Sequence, residues 1–136
     1  GRSFPAAARL KDGRVLIVGG RCTKFKCKVS DEIFDPVTGK VTPVSHPGGP
    51  PEHHAGALLG DGRVLITGGY DPTDAKKALI YDPAAGGSWV VAPSMSHARG
   101  RHAAATLTDG SVLVVGGSHK GAYPTTAERF YPHGAP

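Results

Sequence analysis

Three times along the chain a stretch rich in small apolar residues runs into Asp-Gly, then into a short β-branched run that stops at Gly-Gly. Residues 12–20 read DGRVLIVGG, residues 61–69 read DGRVLITGG and residues 109–117 read DGSVLVVGG. The flanks repeat with them. AAARL, HAGALL and HAAATL precede the nonapeptide, and EIFDP, LIYDP and ERFYP follow it. A period of about 48 residues makes each copy one supersecondary unit that cannot bury its apolar face alone. The sequence is therefore read as a single domain, 1–136, with repeats 1–51, 52–100 and a shortened 101–136.

The pattern within a copy predicts strands and turns. Asp12-Gly13, Asp61-Gly62 and Asp109-Gly110 separate two apolar runs, so each pair is expected to supply the positive φ angles of a tight hairpin. The first strand, made of Ala and Gly, suits a place where several sheets converge. The second is a near-continuous β-branched run, expected to be buried on both faces. Gly19-Gly20, Gly68-Gly69 and Gly116-Gly117 then mark a sharp exit or a close approach to neighbouring backbone. A third strand ends in Phe34-Asp35-Pro36 or Tyr81-Asp82-Pro83, where Pro stops the ladder and Asp holds a turn. A fourth is expected over residues 40–44 and 88–92, and the third copy stops before its own.

Composition agrees with an all-β chain. Twenty Gly and twelve Pro accompany only four Phe, four Tyr and one Trp. The sequence contains no apolar run long enough to span a membrane and no signal-peptide pattern after Gly1. A net charge of +5 is dispersed and favours anionic partners weakly. Cys22 and Cys27 flank a polar stretch. Two thiolates do not complete a tetrahedral zinc site, so the pair is expected as a loop disulfide in an oxidising compartment and otherwise as two free thiols.

A repeat that reads His-Ala, Asp-Gly-x-Val-Leu, Gly-Gly, Tyr-Asp-Pro and Trp resembles the kelch repeat, in the version common in bacterial multi-repeat proteins. The second copy carries it most fully, with His54, Gly68, Gly69, Tyr81, Asp82 and Trp89. The first has Pro5 and Phe34 in place of His54 and Tyr81 and has no Trp; the third keeps His102, Gly116, Gly117 and Phe130 but has Tyr131 where Asp82 stands. The resemblance spans nearly the whole chain. It implies four-stranded propeller blades with the Ala-rich strand innermost around a channel, and a secreted or extracytoplasmic bacterial protein. Closed rings of this type need about six or seven blades, so under three leave apolar faces uncovered. The remainder of a longer chain is expected to cover them, or a second copy completing a six-bladed dimer.

The candidate chemistry is modest. His53, His54 and His102 could offer three nitrogens to a metal, but His54 and His102 occupy one repeat position and read as structural, so no metal and no cofactor is expected. Neither cysteine sits where the copper radical oxidases of this fold need one beside tyrosine. Arg99, Arg101, Glu52 and Glu128 could mimic the arginine and glutamate set of the sialic-acid epimerases, or form ordinary ion pairs at blade corners. The loop RCTKFKCK sets Lys24, Lys26 and Lys28 around Phe25, which reads first as a solvated loop whose charge aids solubility and otherwise as a place where an anionic carbohydrate, phospholipid or acidic protein could dock. Aromatic interleaving and a continuous basic stripe are lacking, so no nucleic acid is expected. The leading expectation is a non-catalytic module binding a protein or a glycan through its loops. A fragment of a kelch-fold enzyme and a self-assembling subunit are the alternatives.

Overall fold

A computed structural model of the chain describes residues 2–22, 30–48, 52–70 and 75–132. These residues form β-strands, turns and loops with no helix. The strands are β1 (Arg2–Ser3), β2 (Ala6–Arg9), β3 (Val15–Val18), β4 (Arg21–Cys22), β5 (Asp31–Phe34), β6 (Val41–Val44), β7 (Ala55–Leu58), β8 (Val64–Thr67), β9 (Ala78–Asp82), β10 (Ser88–Ala92), β11 (Ala103–Thr106), β12 (Val112–Val115) and β13 (Glu128–Phe130). They pair antiparallel as β2-β3-β5-β6, β7-β8-β9-β10 and β11-β12-β13, one meander per sequence repeat. The sheets do not close into a barrel. The ribbon β1-β4 at the first sheet was not foreseen from sequence.

The Asp-Gly turns form the expected hairpins with Gly at positive φ, but the aspartates do not share it. Gly13, Gly62 and Gly110 have φ of 90°, 100° and 83°, while none of the preceding aspartates has positive φ. Each hairpin is a three-residue loop: Leu10 N–H donates to the Arg14 carbonyl (2.8 Å) and Gly13 N–H to the Leu10 carbonyl (3.1 Å). Aspartate contributes its carboxylate instead. Asp12, Asp61 and Asp109 each accept from the amide two residues on, at 3.0, 3.0 and 3.1 Å.

The Ala-rich strands β2, β7 and β11 lie side by side, as small residues permit. The Cβ that Gly56 lacks would stand 2.9 Å from Ile66 Cδ1 and 3.5 Å from Ala6 Cβ. Two apolar layers fill the seams between sheets. Ala8, Leu16, Val18 and Ile33 pack against Val64, Ile66 and Tyr81; Ala57, Leu65, Ala78 and Ile80 pack against Val112 and Val114. Consequently only β8 is buried at all four positions, whereas β3 and β12 alternate. Val15 and Ile17 on the first sheet, and Leu113 and Val115 on the third, face away from the stack. The expectation of a doubly buried second strand thus holds for the middle sheet, which has a neighbour on each side.

Candidate functional site

The polar residues with the strongest repeat pattern are buried in the architecture. Arg99, with no exposed surface, donates to the Gly116 carbonyl (2.9 Å) and the Thr126 carbonyl (3.2 Å) and pairs with Glu128 (2.8 Å). Arg2 repeats the arrangement in the first sheet, with the Gly19 carbonyl (3.1 Å), the Ser30 carbonyl (2.7 Å) and Glu32 (2.7 Å). Burial alone would raise the Glu128 carboxyl. The amides of Ser96 (2.5 Å) and His97 (3.1 Å), with Arg99, outweigh it and hold the group below the usual carboxylate range.

His102 fills the seam between the second and third sheets. Its Nε2 is 2.8 Å from Thr67 Oγ1, and its ring lies where a side chain on Gly68 would be. A Cβ on Gly68 would collide with the Arg99 carbonyl and stand 2.8 Å from His102 Cε1, so the first Gly of this pair makes room for the next sheet's histidine. His54 occupies the equivalent place in the first seam, against Val18, which offers no hydroxyl. Neither of its ring nitrogens has a side-chain partner, and the polar group nearest it on that strand is the Val18 backbone. Burial lowers both imidazoles to about 4. The same seam holds a buried pair peculiar to the first copy: Asp31 Oδ1 accepts from Gly19 N–H (2.8 Å) and its Oδ2 lies 2.5 Å from His46 Nδ1.

A different set reaches the surface, with Phe4 and Arg101 exposed and His53 half-buried between them. Phe4, His53 and Arg101 occupy one repeat position, immediately before Pro5, His54 and His102, and have φ of 58°, 59° and 56°. L-residues with side chains this large seldom adopt such angles, which cost about 1–2 kcal/mol each. Backbone bonds over-determine the conformation: His53 N–H donates to the Phe4 carbonyl (3.4 Å) and Arg101 N–H to the His53 carbonyl (2.7 Å). The side chains form a row. The Phe4 and His53 ring centroids are 3.9 Å apart, and Arg101 Nε stands 3.5 Å from His53 Nδ1. Tyr70 flanks the row, edge-on to His53 (5.1 Å) and beneath the Arg101 guanidinium (5.1 Å). Phe4 is 54% and Tyr70 40% exposed. Among the described residues Arg101 pairs with no carboxylate, whereas Arg21 approaches Glu52 at 4.0 Å.

The chain matches no protein-family model and no curated protein sequence.

The structure therefore divides the residues singled out from sequence. His53 and Arg101 come together at the surface, and Glu52, which Arg21 approaches, opposes the lowering of the His53 pKa. His54, Arg99 and His102 are interior, and Glu128 is bound to Arg99. Lys24, Phe25, Lys26, Lys28 and Cys27 lie outside the described residues; Cys22 ends β4. The described residues contain no cluster of His, Cys, Asp or Glu able to hold a metal ion, and no helix long and apolar enough to cross a membrane. Sequence reasoning missed Phe4 and Tyr70. The available signal was positional: Phe4 aligns with His53 and Arg101 once the repeats are superposed, one residue before the histidine column.

Proposed function

We propose that the chain is part of a kelch-type β-propeller and acts as a non-catalytic recognition module. Three successive antiparallel meanders, with their Ala-rich strands adjacent, support the blade reading. The observation that carries the function is the strained surface row Phe4, His53 and Arg101, exposed at its two ends and half-buried at His53. Backbone strain at repeat-equivalent positions, bearing side chains that do not relieve it, concentrates at ligand-binding sites. An enzyme reading finds less support, because Arg99 and Glu128 are engaged with each other and with backbone. Screening the chain against glycan and peptide arrays, beside a Tyr70→Ala/Arg101→Asn variant, tests the proposal. Ligands of the parent should be lost by the variant at unchanged thermal stability. A variant that keeps all of them refutes the reading.

A second reading, self-assembly, draws on the two outer faces. Leu113 and Val115 are the repeat equivalents of Leu16 and Val18, which the second sheet covers; Val15 and Ile17 are equivalents of Val64 and Ile66. Either further blades of one polypeptide or a second copy would complete these seams. Light scattering separates them: a stable dimer favours the second copy, and concentration-dependent aggregation favours a missing remainder. The Cys22–Cys27 disulfide remains part of the proposal, tested by whether either thiol can be alkylated before reduction.

A further inference from the structure

We propose that the row Phe4–His53–Arg101 binds a carboxylate-bearing sugar ring, with the pyranose against Phe4 and the carboxylate on Arg101. The assignment rests on the recognition-module reading and adds the class of ligand. Three chemically different groups follow one another within contact distance, 3.9 Å from Phe4 to His53 and 3.5 Å from His53 to Arg101. An exposed aromatic face suits the C–H face of a pyranose. A guanidinium with no carboxylate partner among the described residues offers the planar fork that a carboxylate accepts in bidentate fashion. Its position over Tyr70 holds the fork in place by a cation–π contact.

His53 between them fixes the spacing and the number of charges. Burial, and next the Arg101 charge, lower its pKa against the opposing Glu52 carboxylate, so at neutral pH it is uncharged; with Nδ1 facing Arg101 Nε, its Nε2–H is the donor left for a hydroxyl. The row thus offers one cation, one neutral hydrogen-bonding group and one apolar face. A ring carrying hydroxyls and a single carboxylate matches that order. An acidic peptide, with several charges and no pyranose face, matches it less well, and a neutral sugar gives Arg101 no anionic partner where the described residues offer none.

Titration calorimetry with a galacturonate trisaccharide, galactotriose and a short Asp/Glu-rich peptide tests the assignment on the intact chain. The uronate should bind at least about tenfold more tightly than the neutral sugar. Arg101→Asn should reduce it to the neutral level, and Phe4→Asn should weaken both sugars. Asparagine tolerates the left-handed backbone, so both variants should melt at or above the parent temperature while losing affinity, an outcome that a merely structural role would not give. Equal binding of acidic and neutral sugars overturns the carboxylate assignment and leaves recognition standing. Arg101-dependent binding of the peptide alone overturns the sugar assignment. If none of the three probes binds and the array ligands are also independent of Arg101, both proposals fall.

Discussion

Thr67 Oγ1 meets His102 Nε2 at 2.8 Å across the seam between the second and third sheets, while the equivalent histidine of the preceding seam, His54, has no side-chain partner and only the Val18 backbone as its polar neighbour there. One repeat position therefore holds the same buried ring with and without a hydroxyl on one nitrogen, the other ring nitrogen being unpartnered in both. Thr67→Val removes a partner from a buried imidazole and should destabilise by about 1–3 kcal/mol. Val18→Thr supplies one nearly isosterically and should stabilise by about 0.5–1 kcal/mol. Denaturant midpoints of the two variants check the pair. Changes of equal sign would show that the seams are not equivalent.

Both histidines also make stability depend on pH. Burial lowers each from 6.5 to about 4, with the Arg99 charge adding to the effect on His102 and Asp31 opposing it on His54. As pH falls from about 6.5 to 4 the unfolded chain takes up protons that the folded chain refuses, so stability is lost in that window. The limit is about 3 kcal/mol per histidine by pH 4. Asp12, Asp35 and Asp109 are held below 3.8, chiefly by hydrogen bonds from nearby residues, so their contributions disappear only at lower pH. Denaturant unfolding between about pH 7 and 4.5 should show the loss, with a shallower slope in His54→Gln. A flat profile would refute the assignment.

The repeat made the three meanders legible, though not the ribbon β1-β4. Local pattern sufficed for the strands because each turn carries its own chemistry, as when Asp82 Oδ1 accepts from the Ala84 amide at 2.9 Å in the loop after β9. The site was less legible, because exposure depends on the seams and not on residue type. Arg99 and Arg101 look alike in sequence, yet Arg99 is interior and Arg101 lies on the surface row. Phe4 and Tyr70 carried no motif at all. Their proximity to His53 and Arg101 emerges from backbone angles and from the adjacency of successive repeats, neither of which a single strand pattern encodes.

Arg99 and Arg2 should differ in what they contribute. Both bridge two carbonyls and a glutamate, but the Arg99 side chain has no exposed surface whereas that of Arg2 is 20% exposed. Arg99→Met leaves Glu128 partly buried without its cation and should cost about 3–5 kcal/mol. At Arg2→Met water can reach Glu32, so the loss should stay near about 1 kcal/mol. Equal losses measured by urea unfolding would show that burial does not set the difference.

The turn glycines give the cleanest separation of backbone strain from crowding. Gly13 and Gly62 occupy the same turn position with φ of 90° and 100°, and both are followed by the same aspartate-anchored amide. A Cβ on Gly13 would meet nothing within 4 Å, whereas one on Gly62 would approach Lys11 Cδ at 3.0 Å. Gly13→Ala should therefore cost only the left-handed penalty, about 1–2 kcal/mol. Gly62→Ala carries that penalty and must also shift Lys11, whose Nζ donates to the Gly60 carbonyl at 2.8 Å and ties the first sheet to the second. The lysine is flexible and exposed, so the additional cost should be below about 1 kcal/mol. In a Lys11→Ala background it should vanish, leaving the two glycine substitutions equal. If Gly13→Ala proves neutral, the positive φ is not a constraint at this turn; if the two losses still differ without Lys11, contact with that side chain is not the reason.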